Sequence, residues 1–109
     1  MVSIEYKEAD NNLNFTFSGH LDTNTCTWIN DAINKELISR KGVDDPEVKA
    51  DFKATFDLLD VSYISSYFIR ICILTAKQVK TGNFRIINCD PMIKKTFKIA
   101  GLDESLNVS

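Results

Sequence analysis

The feature that most restricts the fold is a change of hydrophobic period within the stretch from Ala54 to Lys80. Phe52, Ala54, Phe56 and Leu58 alternate with Lys53, Thr55 and Asp57, the two-residue period of a strand. From Ile69 the period changes: Ile69, Cys72, Ile73, Ala76 and Val79 recur at helical spacing. Between the two patterns stand Ser65 and Ser66, where a helix cap belongs. A hydroxyl there can accept a bond from a free N–H group of the first turn, and the same N–H groups would receive a phosphate well. This junction is the candidate site.

The flanking segments supply the remaining layers. Ile4 to Glu8 is a modest strand candidate, and Asp10-Asn11-Asn12 is a turn cluster leading into a hairpin. Leu13, Phe15 and Phe17 then alternate with Asn14, Thr16 and Ser18, predicting a single-faced strand antiparallel to the first. Trp28, Ile29, Ala32, Ile33 and Leu37 recur at helical spacing over Asn24 to Ile38, with Asp22 and Thr23 ahead of them as cap candidates. Gly42, Asp44, Asp45 and Pro46 end that helix. The charged stretch Ser39 to Lys53 reads as an extended, solvated and mobile loop, or as part of a partner surface.

After the central helix, Thr81-Gly82-Asn83 is the expected stop. Phe84 to Cys89 reads as a largely covered strand reached by a right-handed crossover. Asp90 and Pro91 open a last helix with Ile93, Phe97 and Ala100 inward, Lys94, Lys95 and Lys98 outward, and Gly101 closing it. Strand, strand, helix, strand, helix, strand, helix is an α/β domain with a small mixed sheet. A length of 109 residues, 44% of them hydrophobic, fits one such domain, residues 1–109.

Charge and cysteine usage exclude several function classes. A formal net charge of −2 offers no basic footprint for direct binding to nucleic acid or to an anionic membrane. The longest apolar stretch, near Ile69 to Leu74, contains Arg70 and falls short of the roughly 20 residues that membrane insertion needs. Glu5, Lys7, Glu8 and Asp10 interrupt any secretory signal, so the expected location is cytoplasmic. Cys26, Cys72 and Cys89 lack the spacing of a zinc site or a disulfide framework, and Cys72 lies on the apolar stripe as a small core residue. His20, the single histidine, has no nearby Cys or second His and reads as a solvated or turn-packed imidazole. Without a nucleophile elbow, a phosphate-binding glycine loop or a dinucleotide fingerprint, the expectation is a protein that is not an enzyme and carries no cofactor.

Tyr63-Ile64-Ser65-Ser66-Tyr67-Phe68-Ile69-Arg70, preceded by Asp57-Leu58-Leu59-Asp60-Val61, resembles the strand-to-helix signature of STAS domains, the family of bacterial anti-sigma factor antagonists. That signature has an aromatic and an aliphatic residue, then Asp or Ser, Ser or Thr, Ser or Ala, then Gly and Leu. Ser18-Gly19-His20-Leu21-Asp22-Thr23 resembles the family's turn before its first helix, and Thr81-Gly82-Asn83-Phe84-Arg85-Ile86-Ile87-Asn88 resembles its glycine-led strand. Pro91 through Val108, with Ile99-Ala100-Gly101-Leu102, resembles its last helix and closing turn.

The resemblance covers nearly the whole chain. It implies a four- to five-stranded mixed sheet with helices packed mainly on one face, and a serine loop exposed where the central strand ends.

For function, the resemblance implies a partner-switching regulator. It would bind an anti-sigma factor that is also a GHKL-type serine kinase, be switched by phosphorylation of a loop serine, and be restored by a PP2C-type phosphatase. The phospho-acceptor position falls on Ser66, with Ser65 the alternative. Asp22, Thr23, Ser65, Tyr67, Phe68, Arg70 and Ile71 form the implied partner-binding set, in a monomer or weak dimer. Tyr67 and Phe68 stand where the family has a small residue and glycine. With Ile71 they read either as an interaction patch or as packing beneath the Ser39 to Lys53 stretch. Asp22 reads as an N-cap or as a direct partner contact. A competing assignment is a non-switching adaptor subunit of a transporter ATPase or signalling scaffold, with the serine only capping its helix. A third is small-ligand or nucleotide binding at the loop.

Overall fold

The alternation of Leu13, Phe15 and Phe17 against Ala54, Phe56 and Leu58 places six fully buried side chains on one face of two neighbouring strands. The computed structural model describes residues 1–109 and builds a four-stranded sheet around that pair. The strands are β1 (Val2–Lys7), β2 (Asn12–Leu21), β3 (Lys53–Ile64) and β4 (Phe84–Ile87), in the order β1-β2-β3-β4. β1 is antiparallel to β2, whereas β2–β3 and β3–β4 are parallel. A parallel pair needs a long crossover, supplied by the helices α1 (Thr23–Lys41) and α2 (Ser66–Ala76); α3 (Pro91–Ile99) follows β4. Beyond α3 the chain returns to the sheet, where Val108 bridges Ile86 and the Ser109 N–H donates to the Ile86 carbonyl. This short contact shields the β4 edge, as a fifth strand would.

The predicted element types and order hold, as does the hairpin at Asn11, which takes the left-handed conformation. The first strand starts earlier than the Ile4 to Glu8 reading. Side chains on the helix side of the sheet join residues from all three helices in one apolar cluster of 24 buried residues. The opposite face is polar: the buried Thr55 hydroxyl donates to Asn12 Oδ1 at 2.9 Å and accepts from Arg85 Nε at 3.3 Å. One face apolar and one polar is what a sheet covered on a single side requires.

Several boundaries and faces differ from the sequence reading. α1 runs on through Ser39–Lys41 to Gly42, whose N–H bonds the Ile38 carbonyl, so the loop is shorter than residues 39–53. It is also anchored. Lys41 Nζ donates to the carbonyls of Asp45 and Val48 and to Gln78 Oε1, Lys49 Nζ donates to the Lys77 carbonyl, and Ala50 and Phe52 are buried.

On α1 the inward stripe is Cys26, Ile29, Ile33 and Leu37, while Trp28 is 51% exposed. On α3 Ala100 is exposed and only Ile93 and Phe97 are buried. On α2 the buried residues are Phe68, Ile71, Cys72 and Thr75, one position out of phase with the predicted stripe except at Cys72.

α2 also stops at Ala76, ahead of Thr81-Gly82-Asn83. Stopping there frees Val79 to enter the core beside Ala50. Gly82 instead turns the chain into β4: the Asn83 N–H reaches the Lys80 carbonyl at 2.9 Å with Gly82 at φ +86, the third position of a turn that needs a left-handed residue.

Candidate functional site

β2 and β3 run parallel and end together, Leu21 opposite Ile64, and each continues directly into a helix. The starts of α1 and α2 therefore lie side by side at the carboxyl ends of two adjacent strands. The Ser65 N–H donates to the Leu21 carbonyl at 3.0 Å, tying the two turns together.

Each turn is closed by a side chain that satisfies an N–H the helix cannot satisfy itself. Asp22 caps α1, its Oδ1 accepting from the Thr25 N–H at 2.9 Å. That bond is the main reason its carboxyl is held below the ordinary value of 3.8, so it stays ionised at neutral pH. Thr23, the other cap candidate, is instead the first residue inside the helix.

Ser65 caps α2, its Oγ accepting from the Phe68 N–H at 3.3 Å. Its hydroxyl is buried, 3.9 Å from Cys26 Sγ. Cys26 itself donates toward the Leu21 carbonyl at 3.5 Å, and burial pushes its thiol pKa up. Sequence reading missed Cys26 as a member of this site. Its place one turn before Ile29 and two turns before Ile33 was the available signal.

Ser66 is the next residue, the first inside α2, and it is exposed. Its hydroxyl has no cap duty. The Ile69 N–H is taken by the Ser65 carbonyl and the Phe68 N–H by the Ser65 hydroxyl, which leaves the N–H groups of Ser66 and Tyr67 facing the helix start.

Around Ser66 an open groove of about 710 Å³ runs between α1 and α2, lined by Thr23 and Asn30 on one side and Ser66, Tyr67, Arg70, Ile71 and Leu74 on the other. Tyr67 is half-buried and Arg70 exposed. Of the implied docking residues, Asp22, Thr23, Tyr67 and Arg70 thus gather at this end of the molecule with surface to offer.

Phe68 and Ile71 do not offer surface, and this corrects the reading that grouped them with a docking patch. Phe68 is fully buried, its ring 5.2 Å from Phe17 and 5.9 Å from Phe56, and Ile71 is buried to 1% exposure. Phe68 packs against the sheet, not beneath the 39–53 stretch, and Ile71 lies on the floor of the groove. Ser65 is corrected likewise: a hydroxyl buried and bonded as a cap cannot enter another protein's active site without the helix start opening.

A bulge displaces the upper part of β2, with register shifts between Thr16 and Ser18 and between Gly19 and His20. Gly19 takes φ +86 there, a conformation that costs glycine little. The bulge brings His20 beside β3, where its Nδ1 lies 2.9 Å from Ser62 Oγ and its ring 5.7 Å from that of Tyr63. His20 is therefore an exposed residue within β2, held by a side chain across the strands and not packed in a turn.

With this geometry in place, comparison with known families is decisive. The sequence profile of the STAS domain matches residues 3–109. The chain belongs to the STAS domain family.

Solved structures agree on the fold. The unphosphorylated form of the anti-sigma factor antagonist SpoIIAA superposes with a TM-score of 0.72 at 13% identity, covering 100% of this chain and 88% of that one. An anti-sigma factor antagonist from Mycobacterium paratuberculosis gives 0.74 at 17% identity, over 99% and 85% of the two chains. The phosphorylated form of the Bacillus cell-fate determinant SpoIIAA gives 0.64 at 15%, over 100% and 91%. Comparison with curated protein sequences gives no match. The STAS domain thus has the expected mixed sheet and three helices, and no helix in it is long and apolar enough to cross a membrane.

Proposed function

We propose that this STAS domain is a partner-switching regulator of the anti-sigma factor antagonist type, acting in the cytoplasm as a ligand and substrate of other proteins and not as a catalyst. Unmodified, it binds an anti-sigma serine kinase of the GHKL type through the face around Ser66, with Asp22, Thr23, Tyr67 and Arg70 as contacts. The kinase transfers the γ-phosphoryl group of ATP to Ser66 Oγ, the hydroxyl proton leaves to a base of the kinase, and ADP departs. A PP2C-type phosphatase hydrolyses the phosphoester and restores the binding form.

The observation that carries this reading is the division of labour between the two serines. Ser65 is buried and spent on the cap, while Ser66 is exposed at the first position of α2. A phosphate on Ser66 adds about −1.5 to −2 charge to the docking face, and the partial positive charge of a helix start stabilises it there. The fold need not change for the partner to be lost.

The adaptor assignment has one observation in its favour. Tyr67 places a bulky ring beside Ser66 where glycine or a small residue would let a partner's backbone come close. The two readings separate on incubation with the anti-sigma kinase and ATP, followed by intact-mass and fragment analysis. Switching predicts one phosphate, on Ser66. An unmodified chain beside an active kinase, or a phosphate elsewhere, refutes it.

A further inference from the structure

We infer that Arg70 is the intramolecular receiver of a phosphate on Ser66, so that modification both adds negative charge to the docking face and withdraws a cation from it. This rests on Ser66 being the modified residue and names a second part of that switch.

Ser66 and Arg70 are four residues apart on α2 and line the same groove. Long side chains on a helix lean toward its N-terminus, which sends the guanidinium back over the turn that carries Ser66. An anionic group N-terminal to a cationic one at this spacing is the favoured order. Among the groove residues Arg70 alone is charged. It is also unspent: the two ion pairs in the molecule join Arg40 to Glu36 and Lys80 to Asp51, and Arg70 is in neither.

A guanidinium fits a phosphate through two parallel N–H···O bonds, so a dianion placed within its reach becomes its nearest counter-charge. In the unmodified protein Arg70 projects free from the surface, available to a carboxylate on a partner. Once Ser66 carries phosphate, the guanidinium lies along α2 against it. The partner then meets a new negative charge and also loses a cation it had used.

The test is a phosphate titration on protein in which phosphoserine is encoded at position 66, read by phosphorus NMR across the second ionisation, near pH 6 for a free phosphoserine. Pairing with Arg70 favours the dianion. Arg70→Gln should therefore raise the midpoint by about 0.3 pH unit, while Lys98→Gln, which removes an exposed cation on α3, should leave it in place. Equal midpoints for Arg70→Gln and its parent, or the same rise with Lys98→Gln, would overturn the pairing. Because the phosphate is installed and not transferred, such a result counts against Arg70 alone, and only the kinase mapping bears on Ser66 as the natural acceptor.

Discussion

Ser65 and Ser66 are chemically identical neighbours with different duties, and the difference comes from one step along the backbone. Ser65 precedes the helix in an extended conformation that turns its hydroxyl back onto the Phe68 N–H. Ser66 has already entered the helix and faces the groove. Losing the cap should cost about 1 kcal/mol, so Ser65→Ala is expected to lower the denaturant midpoint measurably. Ser66→Ala should change stability by less than about 0.5 kcal/mol. A comparable loss in both variants would mean that the hydroxyls share the capping role.

The presence of a cap was legible at this scale, since serine, aspartate and a following amphipathic run are local signals: Asp90 caps as read, and Asp22 and Ser65 cap from the pairs Asp22–Thr23 and Ser65–Ser66, within which the sequence left the choice open. Which serine is buried was not legible. That depends on Cys26, distant in sequence and brought beneath Ser65 by the pairing of Leu21 with Ile64.

At the scale of elements, α2 shows why a period can be found and its phase missed. Phe68, Ile69, Ile71, Cys72, Ile73 and Leu74 are nearly continuous, because the helix lies against the sheet on one side and contacts α1 on another. A helix apolar on most sides satisfies more than one stripe. The sheet selects Phe68 because the rings of Phe17 and Phe56 already stand beneath it, and the edge-on contact with Phe17 adds about 0.5–1.5 kcal/mol beyond burial.

α1 presents the opposite difficulty. It has few large apolar residues, so Trp28 attracted the stripe although the smaller Cys26 lies on it. Phe68→Ala should destabilise the domain by about 3–5 kcal/mol in chemical unfolding, whereas Tyr67→Ala should cost less than about 1 kcal/mol and weaken partner binding. Similar losses of stability from both would place Tyr67 in the core with Phe68.

For the molecule as a whole, the sequence carried the α/β class and the order of elements because the alternation in β2 and β3 fixes which faces meet. It carried the end of α2 less well. Only long-range contacts, Ala50 with Val79 and the bonds from Lys41 to Gln78 and from Lys49 to the Lys77 carbonyl, explain why the chain leaves the helix early.

The resulting scaffold is tied by hydrogen bonds at the two caps and exposed at Ser66, and this combination suits a surface whose charge can be changed while its shape is kept. Calorimetric binding of the anti-sigma kinase to the unmodified domain and to the domain carrying phosphate on Ser66 tests that idea most directly. A stable complex is expected with the first and a loss of at least about tenfold in affinity with the second, equivalent to about 1.4 kcal/mol. Equal affinity for both forms would contradict it.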